Sequence, residues 1–273
     1  MTARLAVASL NIHGVPLSRP PATVRAARIG ELAGQMDLDV LCVQEVHTYP
    51  VLRALAAALP SLPYPGHVPG AARPSGGLVT FTREPAARTT FRPLPAPGAG
   101  GQPDRLRRLL NAERRKGLLV TDLAGDAGTV INLHLSPNRD GDWSPGSRYA
   151  AVHRAQLAAV TAQAAAEGER HTGPVVVTGD FNVAKDSDLF TGFAARSGLV
   201  DAFAGQAPVT FRTRPGRVPC CIDHLLYRPG RDRLAVAEST LAFTAEQSWP
   251  GQPPAYLSDH LGLLVRLEAR PAS

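Results

Sequence analysis

With 273 residues, 44% of them hydrophobic, the chain can bury one large core, and no Ser/Gly linker or long charge run divides it, so a single domain over 1–273 is expected. The formal charge of +6 favours an anionic partner such as a phosphate ester, nucleic acid or acidic membrane surface. All of the 29 basic residues except Lys116 and Lys185 are arginine, however, in a chain also rich in Ala and Pro, which weakens charge as a sign of nucleic acid. No secretory signal opens the sequence, no stretch is long and apolar enough to span a bilayer, and three cysteines make no disulfide framework, so a cytoplasmic location is expected.

The first predicted strand, 4–12, ends in Asn11-Ile12-His13-Gly14 and sets Asn11 where the chain leaves the sheet. A helix follows with Val24, Ala27, Ile29 and Leu32 as its buried positions. A second buried strand, 38–45, closes on Glu45. A carboxylate ending such a run needs a partner, because an unpaired buried charge is costly. A metal ion is the obvious one, and Mg²⁺ takes one or two protein carboxylates while keeping several waters. The competing reading is a solvated strand end. A short helix over 51–59, a Pro/Gly-rich crossing and an alternating strand over 76–83 come next. Residues 92–115 are expected to form an irregular basic insertion. Its second half, with Asp104-Arg105-Leu106-Arg107-Arg108-Leu109-Leu110, suits a short amphipathic helix that covers a site, touches an anionic surface or packs its leucines on the body.

Strands over 116–123 and 129–135 flank the hairpin-turn sequence Gly125-Asp126-Ala127-Gly128. His134 precedes a long polar loop, 136–147, of the kind that faces substrates; alone, it would more often be structural. An Ala-rich helix over 148–166, with Val152, Leu157 and Val160 for burial, leads to the apolar run 174–180. That run stops at Gly179 and presents Asp180 and Asn182, an acid that can accept a proton and an amide that can hold an oxyanion. Alternation about Phe181 would set both on one side of an extended backbone, although the same residues suit a plain turn. A helix over 186–198 has an acidic start and a glycine stop. The strand 221–227 carries Asp223, and Asp259-His260 introduces the last strand, 261–267, as a ready acid/base unit.

In this order, Asn11, Gln44-Glu45, Asn132-Leu133-His134-Leu135, Gly179-Asp180-Phe181-Asn182, Ile222-Asp223-His224 and Ser258-Asp259-His260 resemble the endonuclease/exonuclease/phosphatase superfamily over almost the whole chain. The resemblance implies an α/β fold, a four-layer α-β-β-α sandwich of two packed, mostly antiparallel sheets with its metal and catalytic groups at one edge. It implies Glu45 as principal ligand of Mg²⁺ or Mn²⁺, Asn11 beside it and Asp259 close enough to contribute. Asp180 resembles the group that activates or orients water, Asn182 the amide at the phosphate, His260 the catalytic histidine, Asp223 the acid paired to it, and His134 a second histidine. Gly76-Gly77-Leu78-Val79 and Lys116-Gly117-Leu118-Leu119 are similar to sphingomyelinase-like members, and the elements usual in abasic-site endonucleases are replaced. Cys221 stands where Arg often precedes the Ile-Asp pair. The implied activity is metal-dependent phosphoester hydrolysis by a monomer, on a lipid headgroup or small-molecule phosphodiester. A nuclease acting on DNA or RNA, a small-metabolite phosphomonoesterase and a non-catalytic binding module are the alternatives.

Overall fold

Runs that are apolar at nearly every position form strands covered on both faces. A computed structural model describes residues 4–95, 116–212 and 218–269. In the first sheet β1 (Arg4–Asn11) and β2 (Val40–Gln44) pair in parallel across helix α1 (Ala22–Ala33). After helix α2 (Tyr49–Ala57), β3 (Tyr64–Gly66) and β4 (Val79–Thr82) extend the sheet beyond β2.

The chain then builds a second sheet. Strand β5 (Arg88–Pro93) leads to the hairpin of β6 (Gly117–Asp122) and β7 (Thr129–His134), and helix α3 (Ala150–Arg170) crosses to the parallel strand β8 (Val175–Asp180). Helix α4 (Asp188–Ser197), β9 (Val200–Asp201) and β10 (Asp223–Arg228) complete it. Returning to the first sheet, the chain adds β11 (Leu234–Ala242), a separate hairpin of β12 (Gln247–Trp249) and β13 (Gln252–Ala255), and β14 (Gly262–Ala269), antiparallel to β1. The orders are β11-β14-β1-β2-β4-β3 and β5-β6-β7-β8-β10-β9. Among the described residues, only the central pair of each sheet is parallel.

Three apolar layers follow from this arrangement. Ile29, Leu55 and Leu59 cover the outer face of the first sheet against Leu41 and Phe81. Leu157, Val160 and Phe193 cover the second against Val177 and Phe181. Val7, Val40, Cys42, Val130, Val176, Leu225 and Val265 fill the space between the sheets. The molecule is thus the four-layer α/β sandwich expected. Beneath its functional end, two fully buried amides join the sheets, Gln44 Nε2 donating to Asn132 Oδ1 at 2.8 Å. Asn132 Nδ2 in turn donates to the carbonyls of Val79 at 2.9 Å and Val43 at 3.2 Å.

Residues 92–93, assigned above to an irregular insertion, belong instead to β5, where Arg92 pairs with Leu118 and Pro93 with Gly117. The ladder, not local composition, makes this segment a strand. The amphipathic stretch 104–110 lies outside the described residues. No helix among the described residues is long and apolar enough to cross a membrane.

Candidate active site

The two parallel pairs end on the same side of the sandwich. Asn11 is paired with Gln44 at the end of β1 and β2, with Glu45 next in the chain, and His134 is paired with Asp180 at the end of β7 and β8. Asp223 opens β10 opposite Asp180, and Ser258 donates its hydroxyl to the Asn11 carbonyl at 2.6 Å, which brings the adjoining Asp259 and His260 to the same end. Asn11, Glu45, His134, Asp180, Asn182, Asp223, Asp259 and His260 therefore share one neighbourhood. Carboxyl ends of central parallel strands are where open α/β sheets place ligands.

Asp180 is the hub. Its Oδ2 accepts from Asn11 Nδ2 at 3.0 Å and lies 3.3 Å from His134 Nε2 and 3.9 Å from His260 Nε2. Burial opposes its ionisation, but His134, His260 and Lys116 outweigh burial and hold the carboxyl well below the usual range. His260 Nδ1 is 2.8 Å from Asp223 Oδ2, with both groups buried. Burial pushes the imidazole pKa down, and Asp223 and Asp180 more than reverse this, so His260 is raised and carries its proton at neutral pH. Asp223 is also raised, by burial and by Asp180, against the pull of His260.

Glu45 is placed by its backbone. It adopts φ +60°, in the left-handed region that side chains seldom occupy. The loop after β1 passes over it so closely that a Cβ on Gly14 would stand 2.1 Å from the Glu45 carbonyl oxygen, while Val46 N donates to the Gly77 carbonyl at 2.9 Å. Its carboxylate has Oε1 3.9 Å from His134 Nε2 and Oε2 3.5 Å from His47 Nε2. Burial resists ionisation, yet His47, His134 and Lys116 bring the carboxyl down to about 2. Asp259 Oδ1 sits 3.2 Å from His13 Nδ1, and its carboxyl is likewise lowered, burial being outweighed by His13 and His260.

Gly179 has φ +141°, and a Cβ there would meet the Leu133 carbonyl oxygen at 2.1 Å, so the close approach of β7 and β8 requires glycine. Asn182 departs from the alternation expected of it. At φ +51° it turns rather than continuing the pleat, and its backbone N–H donates to Asp180 Oδ1 at 2.9 Å. Its Nδ2 donates to the Leu135 carbonyl at 3.2 Å, and its own carbonyl accepts from Trp143 Nε1 at 2.9 Å.

Several members of this neighbourhood were not singled out from the sequence. The Lys116 ammonium lies 2.5 Å from His134 Nε2 and 3.0 Å from Nδ1, and burial lowers its pKa to about 8 although Asp180 and Glu45 oppose this. The available signal was rarity, since an arginine-rich chain keeps a compact ammonium at only two positions. His13 and His47 stand two residues beyond Asn11 and Glu45, a spacing that could have marked them. Arg25 left no local signal. Its buried guanidinium donates to the carbonyls of Ile12, His13 and Leu257, tying the loop after β1 to the segment before Asp259.

Glu45, Asp259 and the Asn11 side-chain carbonyl are hard oxygen donors suited to a divalent cation. Asn11 Oδ1 accepts the His13 N–H at 3.1 Å, and its second lone pair is available to an ion. In donor chemistry these residues fit such an ion, and at the same end the ligand atoms of Asp180, Asp223 and His260 lie within 4.8 Å of one another. A second acid and histidine cluster, Asp122, Glu167 and His171, lies at the far end of β6. Arg88 and Arg170 neutralise its two carboxylates, Arg88 binding Asp122 through Nε at 2.7 Å and Nη2 at 3.2 Å and reaching Glu167 at 3.2 Å, and Arg170 lying 2.6 Å from Glu167 and 3.5 Å from Asp122, so this cluster is an ion-pair network.

Residues 8–260 match the family described as Endonuclease/Exonuclease/phosphatase family. No curated protein matches the chain in sequence. Among solved structures, the chain is similar to Sphingomyelinase C from Streptomyces griseocarneus, at 20% identity and TM-score 0.69, covering 98% of this chain and 100% of that one. It is similar also to an endonuclease/exonuclease/phosphatase family protein from Bacteroides thetaiotaomicron, at 16% identity and TM-score 0.71, covering 99% and 100%. A truncated TDP2 from Caenorhabditis elegans aligns at 16% identity and TM-score 0.67, covering 97% and 98%.

Proposed function

The chain belongs to the endonuclease/exonuclease/phosphatase family, and from that premise we propose that it is a divalent-metal-dependent hydrolase of phosphoester bonds, a phosphodiesterase on a lipid-headgroup or small-molecule substrate. The observation that carries this reading is the meeting of Asp180, His134, His260 and Glu45 at one set of strand ends, with the Asp180 carboxylate 3.3 Å from His134 and 3.9 Å from His260 and the Glu45 carboxylate 3.9 Å from His134.

Glu45, Asp259 and the Asn11 carbonyl would hold Mg²⁺ or Mn²⁺, which supplies neutralisation of phosphoryl oxygens and a more acidic bound water. Asp180, fixed by Asn11, orients the attacking water; its low pKa suits an orienting anion better than a strong base. His260, kept cationic by Asp223, donates to the developing charge on the phosphoryl group or its leaving oxygen. His134 stays neutral, because burial and Lys116 lower its pKa, and its Nε2 stands between the Lys116 ammonium at 2.5 Å and the Asp180 carboxylate at 3.3 Å, so that lysine and histidine as a pair place positive charge beside Asp180. Asn182 supplies an amide at the turn, with Nδ2 already engaged by Leu135.

A lipid-borne substrate is supported by the likeness to a structure titled a sphingomyelinase. It is supported also by exposed apolar side chains on loops at the same end, Leu17 after β1, Val218 before Asp223 and Tyr256 before Asp259. The nuclease alternative draws on the charge of +6. A cytoplasmic location is supported by free thiols at Cys42, Cys220 and Cys221.

The test is turnover of an activated small phosphodiester, with and without chelator, beside sphingomyelin, phosphatidylcholine, plasmid DNA and RNA. Chelation is expected to abolish turnover, Mg²⁺ or Mn²⁺ to restore it, and Glu45→Ala, Asp180→Ala and His260→Ala each to lower kcat on the order of 10²-fold or more. Full activity after chelation would remove the metal from the mechanism. Efficient plasmid nicking at physiological salt, exceeding cleavage of the small diester, would favour the nuclease.

A further inference from the structure

Glu45 is followed two residues later by His47, whose ring stands between that carboxylate and Arg73. Resting on the reading of Glu45 as a cation ligand, we infer that His47, fixed in one tautomer by Arg73, is a positioning residue that sets the Glu45 carboxylate for the ion.

Arg73 Nη1 lies 2.8 Å from His47 Nδ1. A guanidinium has donors and no acceptor and keeps its proton throughout the working pH range, so it bonds to Nδ1 only when that nitrogen is unprotonated. The proton of the neutral ring is then on Nε2. That nitrogen lies 3.5 Å from Glu45 Oε2, so the ring proton is on the nitrogen beside the carboxylate. The tautomer also excludes His47 Nε2 as a metal ligand, since the required lone pair is absent. Arg73 thus donates to His47, and His47 sets Nε2 beside Oε2, leaving Oε1, the oxygen on the His134 side, to meet the cation.

The backbone reinforces this relay. Glu45 leaves β2 at φ +60° under the close approach of Gly14, which fixes the root of its side chain, and His47 then fixes the tip. Outer partners of this kind typically change metal affinity about 10- to 100-fold when removed.

The experiment titrates the metal-free chain with Mn²⁺ alone, following free Mn²⁺ by electron paramagnetic resonance and binding heat by calorimetry. His47→Leu and Arg73→Met are each expected to weaken binding about 10-fold or more. His47→Gln is expected to stay within about 3-fold of the wild type, because its carbonyl accepts from Arg73 and its amide donates to Glu45. Thermal unfolding in chelator separates lost positioning from lost fold, and if His47→Leu does not fold, the contrast of His47→Gln with Arg73→Met decides.

Wild-type affinity in a folded His47→Leu or Arg73→Met variant would overturn the inference. A Gln variant as weak as the Leu variant would do the same, by assigning the loss to ring shape. Binding by the wild type that survives Glu45→Gln, or no binding by the wild type, would overturn the reading of Glu45 and this inference with it.

Discussion

A methyl group added at Gly14 would fall 2.1 Å from the Glu45 carbonyl oxygen, a backbone atom that cannot swing aside. Gly14→Ala is therefore expected to cost about 1–3 kcal/mol and to displace Glu45. Thermal unfolding together with Mn²⁺ titration checks both effects; a variant unchanged in both would show that the loop yields freely. His224, from the same Asp-His motif as Asp223, is a core residue rather than a catalytic one. Its ring packs 4.1 Å from the Phe190 centroid and its Nε2 donates to the Val183 carbonyl at 2.8 Å. Burial lowers its pKa to about 4, against that hydrogen bond.

The unfolded chain takes up this proton near pH 6.5, while the folded chain resists it until about 4. Stability is thus intact above the unfolded value and eroded as pH falls toward the folded one, by on the order of 2 kcal/mol at pH 4.5. His224→Gln is expected to flatten that loss, seen by urea unfolding at pH 7.5 and 4.5, and an equal loss in the variant would refute the assignment. At this scale the sequence showed the residues whose types and order carry chemistry, such as Asp180 and His260. For His47 and Lys116 it held only a two-residue spacing and the rarity of lysine, and for Arg73 nothing, because their meaning comes from partners 2 to 71 positions away in the chain and across two sheets.

Helix α4 begins where Ser187 Oγ accepts the Phe190 N–H at 3.2 Å, directly after the turn that carries Asn182. Ser187→Ala is expected to cost about 1 kcal/mol, measured by denaturant unfolding, while Mn²⁺ affinity stays close to the wild type. A large loss of affinity would mean that the cap also holds the turn in place. Elements with strong periodicity or β-branched runs, such as β8 and α4, were legible. Strand β11 was not, because Leu-Ala-Val-Ala-Glu-Ser-Thr-Leu-Ala has little β-propensity, and pairing with β14 makes it a strand. Helix α3 runs to Arg170, beyond the expected stop at 166. Gly168 leaves room for Arg228, whose Nη1 a Cβ would meet at 2.1 Å, and Glu167 is held by Arg88, Arg170 and Gln163.

Across the whole molecule, the site belongs to neither sheet alone. One central pair brings Asn11 and Glu45, the other His134 and Asp180, and the Gln44–Asn132 contact ties the two beneath them. That division was invisible in the sequence, where the motifs follow one another without showing which strands pair. The second sheet is a continuous stretch from Arg88 to Arg228, whereas the first is assembled from segments before and after it. As a result Arg4 and Glu268 face each other across the β1–β14 ladder. The order in which the segments are translated is therefore separable from the way they are packed. A short peptide joining these neighbouring ends, with new termini opened at Gly125, where an added Cβ meets nothing within 4 Å, would give a circular permutant with every described strand pairing retained. It is expected to fold and to bind Mn²⁺ within about 3-fold of the original chain, as permutation at exposed turns usually permits. Failure to fold would mean that the chain must be built in its native order to reach this packing.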